Sequence, residues 1–254
     1  MFTLETYLTP PRPRLLAHRG LALDVPENTL LAFEHAWQAG ARYLETDVHL
    51  TSDGEVVISH DPTLTRLTGS PAAIAAHTMS HLRAVDLGSG AGFCSLAEAL
   101  DAFPTARFNI DVKVTPALLP TLAVVERLHA EARVLLASFS ERRRRLIQQK
   151  SPTIATSSGR SAVLRFAAAA LCHAPPTWGA VALNGATVLQ VPEKIGSAVL
   201  VTDRFISAAH RLGVEVHVWT VNEPREMRRL VERGVDGIVT DRIDLAIAEF
   251  GSAP

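Results

Sequence analysis

The chain has 254 residues, enough for a sizeable core and compatible with an α/β barrel. Its 25 basic and 26 acidic residues leave a formal charge of −1, which excludes a general electrostatic pull toward nucleic acid or acidic membranes. Cys94 and Cys172 stand far apart without a CxxC companion, which argues against a disulfide framework or a cysteine-based zinc site.

At the N-terminus, "MFTLETYLTPPRPR" carries an acidic residue and prolines where a signal peptide needs basic and then apolar stretches. No apolar run approaches the ~20 residues that span a bilayer. The expectation is a cytoplasmic location without stable membrane insertion.

In chain order, short β-rich runs alternate with helix-patterned ones. The predicted strands are Leu15–His18, Tyr43–Leu50, Arg107–Val114, Arg133–Ser138, Thr153–Ser157, Ala180–Leu183, Glu215–Val221 and Gly237–Thr240. Helical patterns between them include "NTLLAFEHAWQAG", "PALLPTLAVVERLHAEA", "RFISAAHRLG" and "EPREMRRLVERG", with Gly40, Gly213 and Gly234 as C-terminal stops. Eight strands, each followed by helix, predict a TIM (β/α)8 barrel. After the second strand, "GEVVISHD" reads as a hairpin return from the Asp53-Gly54 turn. The weakly periodic stretch at about 62–92 reads as a small insertion rather than a plain connector, within one domain spanning 1–254.

Strand side chains alternate between faces, so Glu45, Asp47 and His49 project one way and Leu44, Thr46 and Val48 the other. In "FNIDVKV", Asn109, Asp111 and Lys113 share a face; in "EVHVWTV", His217 and Trp219 do. With the apolar sets against helices, the polar sets point to the C-terminal mouth, where such barrels keep their active sites. Glu45, Asp47 and Asp111 would meet there, and three close carboxylates cannot all ionise cheaply without a cation. One reading is a structural ion-pair network with Lys113 and Arg19; the sharper one is a hard divalent ion on oxygen ligands, Mg²⁺ or Ca²⁺. His18 and His60 each end a strand at the same mouth. As a pair beside a metal and two cations they match phosphodiester cleavage, one accepting a proton from the attacking oxygen and one supplying the leaving oxygen. Arg19 and Lys113 would hold phosphate oxygens.

Other features have plainer readings. "ERRRR" from Glu141 opens a helix and reads as a solvated face, so nucleic acid is not an expected partner. His49 could support the metal face from behind, Trp219 could line an alcohol pocket, and Asn28 reads as the N-cap of the "PENT" helix.

"HRG" at His18, "PENT" at Pro26, "GARYLETDVHLTSDGEVVISHD" from Gly40 and "RLTG" at Arg66 together resemble the glycerophosphodiester phosphodiesterase family, of the phospholipase C-like phosphodiesterase superfamily. "SLAEAL" at Ser95, "NIDVK" at Asn109, "SF" at Ser138, "VWTVN" at Val218 and "GVDGIVTDR" at Gly234 extend the resemblance, in family order, over nearly the whole chain. The resemblance implies a TIM barrel with a small insertion and metal-dependent hydrolysis of small-molecule glycerophosphodiesters to glycerol 3-phosphate and an alcohol. It places the acid–base pair on His18 and His60, the metal carboxylates on Glu45, Asp47 and Asp111, and the phosphate cations on Arg19 and Lys113. Mg²⁺ or Ca²⁺ is the implied ion, with Mn²⁺ also able to serve. The third carboxylate is usually glutamate in the family, and Asp111 retracts it by a methylene. Two alternatives stay open: a lysophospholipase D-like enzyme with Ala73, Ile74, Leu82 and Val85 forming an apolar entrance, and a silent phosphoester-binding module. The oligomeric state is left open.

Overall fold

The computed structural model describes residues 6–251. Eight parallel strands follow the order β6-β5-β4-β2-β1-β11-β10-β7. They are β1 (Arg14–His18), β2 (Tyr43–Leu50), β4 (Arg107–Val112), β5 (Val134–Ala137), β6 (Ala155–Thr156), β7 (Val188–Pro192), β10 (Glu215–Trp219) and β11 (Gly237–Thr240). A parallel bridge between Ser157 and Val188 joins the two ends of the sheet. β3 (Val56–Ile58) runs antiparallel to β2, with Val48 opposite Ile58, as the hairpin return predicts.

Helices cover the outside: α1 (Leu30–Gln38), α4 (Leu96–Ala102), α5 (Leu118–Arg127), α6 (Glu141–Lys150), α7 (Arg160–Leu171), α8 (Pro176–Leu183), α9 (Asp203–His210), α10 (Pro224–Glu232) and α11 (Ile243–Phe250). Leu44, Val48, Phe108, Ile110 and Val112 point from the strands into the core shared with Phe33, Leu96 and Leu100 of these helices. The opposite faces fill the barrel, where Leu16, Tyr43, Leu135, Val188 and Val239 cluster. This division follows from the two-residue side-chain period: one face meets helices and the other meets the barrel axis.

One predicted strand is wrong. Ala180–Leu183 forms the second half of α8, and the strand is Val188–Pro192. A four-residue apolar run has no period to distinguish strand from helix. Pro176 opens this helix and Asn184 closes it in the left-handed region at φ 46°. The Thr153–Ser157 strand contracts to Ala155–Thr156.

Two helix readings also change. Thr29, not Asn28, caps α1, its hydroxyl accepting from the Ala32 amide at 3.2 Å. Asn28 takes φ 57° and turns its side chain elsewhere. In α6, Arg144 is fully buried rather than solvated, and Arg143 Nη1 donates to the Val112 carbonyl at 2.7 Å.

The stretch after β3 carries α2 (Thr65–Thr68) and α3 (Met79–Arg83). They close over a small cluster of Val57, Leu64, Ile74, Met79, Leu82 and Phe93. Ile74 and Leu82 are spent inside that cluster and Ala73 is exposed, so the apolar entrance expected of Ala73, Ile74, Leu82 and Val85 does not form. Apolar side chains at a mouth come instead from α7 and from the hairpin of β8 (Lys194–Ile195) and β9 (Ala198–Val199).

Candidate active site

The C-terminal ends of the strands surround a cavity of about 520 Å³ lined by His18, Arg19, Glu45, Asp47, His60, Asp111, Lys113 and Trp219 among others. It thus brings together every residue singled out from the sequence as catalytic, metal-ligating or substrate-binding. The register explains why: His18 on β1 lies opposite Glu45 on β2, and Asp47 lies opposite Asp111 on β4.

The carboxylates are poorly solvated. Glu45, Asp47 and Asp111 are 7%, 2% and 6% exposed. Lys113 Nζ spans the two aspartates, 2.7 Å from Asp47 Oδ1 and 2.8 Å from Asp111 Oδ2. Arg19 Nε lies 3.3 Å from Asp47 Oδ2. Among the described residues, Glu45 receives the Arg19 backbone amide, at 3.1 Å, and the His18 ring at 3.9 Å. Burial, and then the charges of Asp47 and Asp111 against those of His18 and Arg19, push the Glu45 carboxyl up to about 8.

That shift predicts a pH signature. Between the unfolded value of 4.5 and the folded value of about 8, the folded protein holds a proton that the unfolded chain has lost. Stability from this site therefore falls as pH rises through that window and is flat above it. In chelator, Glu45→Gln should gain melting temperature over wild type progressively from pH 4.5 to 8. A difference independent of pH would show that Glu45 ionises normally.

The histidines are held by their own carboxylates. His18 Nδ1 lies 2.6 Å from Asp241 Oδ1, and Asn222 Nδ2 donates to Asp241 Oδ2 at 2.8 Å. Burial lowers the His18 imidazole's affinity for a proton, but Asp241 and Glu45 outweigh it and raise the net value. His60 Nδ1 lies 2.8 Å from Asp61 Oδ1. In both rings the Nδ1 side is engaged. His49 sits behind His60, its Nε2 3.3 Å from the His60 carbonyl oxygen.

An ion-pair chain runs under the rim. Asp61 binds Arg66 at 2.5 Å, Arg66 binds Glu27 at 2.6 Å, and Glu27 binds Arg19 at 2.9 Å. Asn28 bridges Asp47, donating at 3.2 Å, and Thr46, whose hydroxyl donates to Asn28 Oδ1 at 2.8 Å. Glu27, Asn28, Asp61, Arg66, Asn222 and Asp241 received no site role from the sequence. Each nonetheless falls in or beside a quoted motif, which was the available signal.

The donor set suits a hard divalent cation. It offers three carboxylates, and the buried Asp111 Oδ1 and Asn109 Oδ1 have no hydrogen-bond partner. The upward push on the Glu45 carboxyl, from burial and the neighbouring aspartates, reflects a shortage of positive charge. Among the described residues no three His, Cys, Asp or Glu side chains converge closely enough to hold an ion as they stand; Lys113 occupies the space between the aspartates.

Comparison with known proteins gives a consistent picture. The Glycerophosphoryl diester phosphodiesterase family profile matches residues 18–245. A probable glycerophosphodiester phosphodiesterase 2 of Mycobacterium tuberculosis is 38% identical over 91% of this chain and 88% of its own length. A putative glycerophosphoryl diester phosphodiesterase structure from Silicibacter pomeroyi superposes with TM-score 0.77 at 26% identity, covering 94% of this chain and 96% of its own. A glycerophosphodiester phosphodiesterase structure from Thermotoga maritima gives TM-score 0.74 at 25% identity, covering 93% and 98%.

Proposed function

Because the chain belongs to the glycerophosphoryl diester phosphodiesterase family, we propose that it hydrolyses glycerophosphodiesters to glycerol 3-phosphate and an alcohol with His18 and His60 as its acid–base pair. The observation that carries this reading is the convergence of two carboxylate-backed imidazoles and two cations on one cavity holding three buried acids.

In this reading Arg19 and Lys113 bind the non-bridging phosphate oxygens, and Trp219 flanks the alcohol. Trp219 packs edge-on against Phe139 at 5.9 Å, which gives that side of the cavity an aromatic wall. Asp241 and Asp61 hold the two rings by Nδ1 and leave Nε2 to meet substrate. His18, with its raised proton affinity, stays charged past the usual imidazole midpoint, which suits it to protonate the leaving oxygen. His60 takes the proton of the attacking oxygen as that oxygen bonds to phosphorus, and the P–O bond to the alcohol breaks as His18 protonates the departing oxygen. Glu45, Asp47 and Asp111 would hold a divalent cation, Mg²⁺, Ca²⁺ or Mn²⁺, which supplies charge neutralisation at the phosphate when bound.

The test is a panel of glycerophosphodiesters with different headgroups, assayed with several divalent ions and read by glycerol 3-phosphate release. Excess chelator should abolish turnover and added Mg²⁺, Ca²⁺ or Mn²⁺ should restore it. Undiminished turnover in chelator would remove the metal from this reading. Substrate binding without any alcohol release would remove catalysis altogether. A cytoplasmic site of action is part of the proposal; among the described residues no helix is long and apolar enough to cross a membrane.

A further inference from the structure

The cavity mouth is apolar and unpaired on one side. Nine large hydrophobic side chains are exposed among the described residues, and three of them, Phe139, Leu164 and Ile195, line this cavity; a fourth, Val199, stands on the paired strand of the Ile195 hairpin. Their exposures are 58%, 48%, 49% and 45%. Two cations share the rim: Arg160, four residues before Leu164 on the same face of α7, and Lys194, next to Ile195. Among the described residues no carboxylate pairs with either. Glu193, next to Lys194, is engaged with Arg229 at 2.8 Å, and Glu141, which accepts the amide of Gly159 beside Arg160, is engaged with Arg144 and Arg145.

An exposed apolar rim flanked by unpaired cations is the chemistry of a lipid surface rather than of water. We propose that the α7 and β8–β9 rim docks on anionic lipid surfaces, so that phosphodiesters presented there enter the cavity through it. The near-zero net charge gives no long-range pull, so attraction would come from Arg160 and Lys194 at short range, with Leu164, Ile195 and Val199 entering the headgroup layer. Docking stands on the rim geometry alone; delivery of substrate from the surface rests on the phosphodiesterase reading above. A cavity of about 520 Å³ has room for more than a bare glycerophosphate beside the rim.

The experiment is co-sedimentation of the full chain with vesicles of equimolar phosphatidylglycerol and phosphatidylcholine, against phosphatidylcholine alone, at low and high salt. Wild type should partition onto the anionic vesicles and lose that partitioning with salt. Arg160→Ala with Lys194→Ala should weaken it about 25-fold, at roughly fivefold per cation near a charged surface. Ile195→Asp with Val199→Asp should abolish it while keeping the melting temperature, and Val199→Asp alone, outside the cavity lining, should weaken it while keeping the turnover of soluble glycerophosphocholine. Wild type remaining in the supernatant, or equal binding by both double variants, overturns the proposal. A concentration-dependent dimer that the hairpin variant dissociates, without vesicle binding, overturns it in favour of a second copy on this face. Absence of glycerophosphocholine turnover in wild type would instead count against the catalytic reading and leave the vesicle result standing.

Discussion

Replacing His18 or His60 by Ala is expected to lower kcat by about two to four orders of magnitude, the usual worth of a positioned acid or base. Each ring has its Nδ1 fixed by a carboxylate, Asp241 at 2.6 Å and Asp61 at 2.8 Å, and each borders the cavity that holds the acids. The two should be distinguishable by pH. The Asp241 contact helps hold His18 protonated above its ordinary value, so its charge and the stability tied to it persist below that value and are lost as pH rises through the raised one. Asp241→Asn should therefore move the alkaline limb of the rate profile to lower pH while leaving KM nearly unchanged. A loss smaller than tenfold at both histidines contradicts their roles. An unmoved alkaline limb in the Asp241 variant separates His18 from the leaving-group proton.

Arg144→Ala is expected to cost about 3–5 kcal/mol, because it removes the buried partner of Glu141, leaves that carboxylate to the half-exposed Arg145 at 3.0 Å, and frees the Gln148 and Asn184 oxygens. For a chain of this size that is a fall of roughly 6–20 °C in melting temperature. Arg144 is wholly buried and binds Glu141, the Gln148 side-chain oxygen at 2.5 Å and the Asn184 carbonyl at 3.0 Å. Glu141 in turn accepts the Gly159 amide at 3.0 Å. Gly159 caps α7 and has no room for a side chain, since an added Cβ would sit 2.5 Å from the Glu141 amide nitrogen. The pair therefore locks the corner that sets α7 and its Leu164 side against the mouth. Differential scanning calorimetry of Arg144→Ala and of Arg144→Ala with Glu141→Gln gives the test. The second variant should recover part of the loss, because a neutral amide keeps the Gly159 contact without a buried charge that has lost its buried partner. A single-variant cost below about 1 kcal/mol would mean that solvent reaches Glu141.

Several features were legible along the chain because they depend only on local periodicity. Alternation on β2 and β4 put Glu45, Asp47 and Asp111 on one face without knowledge of the fold. The turn at Asp53-Gly54 gave the hairpin return, and Gly40, Gly213 and Gly234 marked helix ends, all three with positive φ. The polar ends of β1 and β3 marked His18 and His60. Where period or length failed, so did the reading: the four residues Ala180–Leu183 could not reveal that they close a helix, and "ERRRR" looked solvated because nothing local says that Asn184, 40 positions on, will cover Arg144.

The sequence by itself determined which side chains face the barrel mouth, since a strand's two-residue repeat is a property of its own backbone. Only the tertiary structure decided who meets whom there. His18 finds Asp241 across 223 positions because β11 closes against β1, and Asn28 leaves its expected cap for Asp47 and Thr46. Lys113 comes to stand between two aspartates because β2 and β4 pair in that register. Those contacts set the charges of the site, because burial and neighbouring ions act through space and carry no trace in the local pattern.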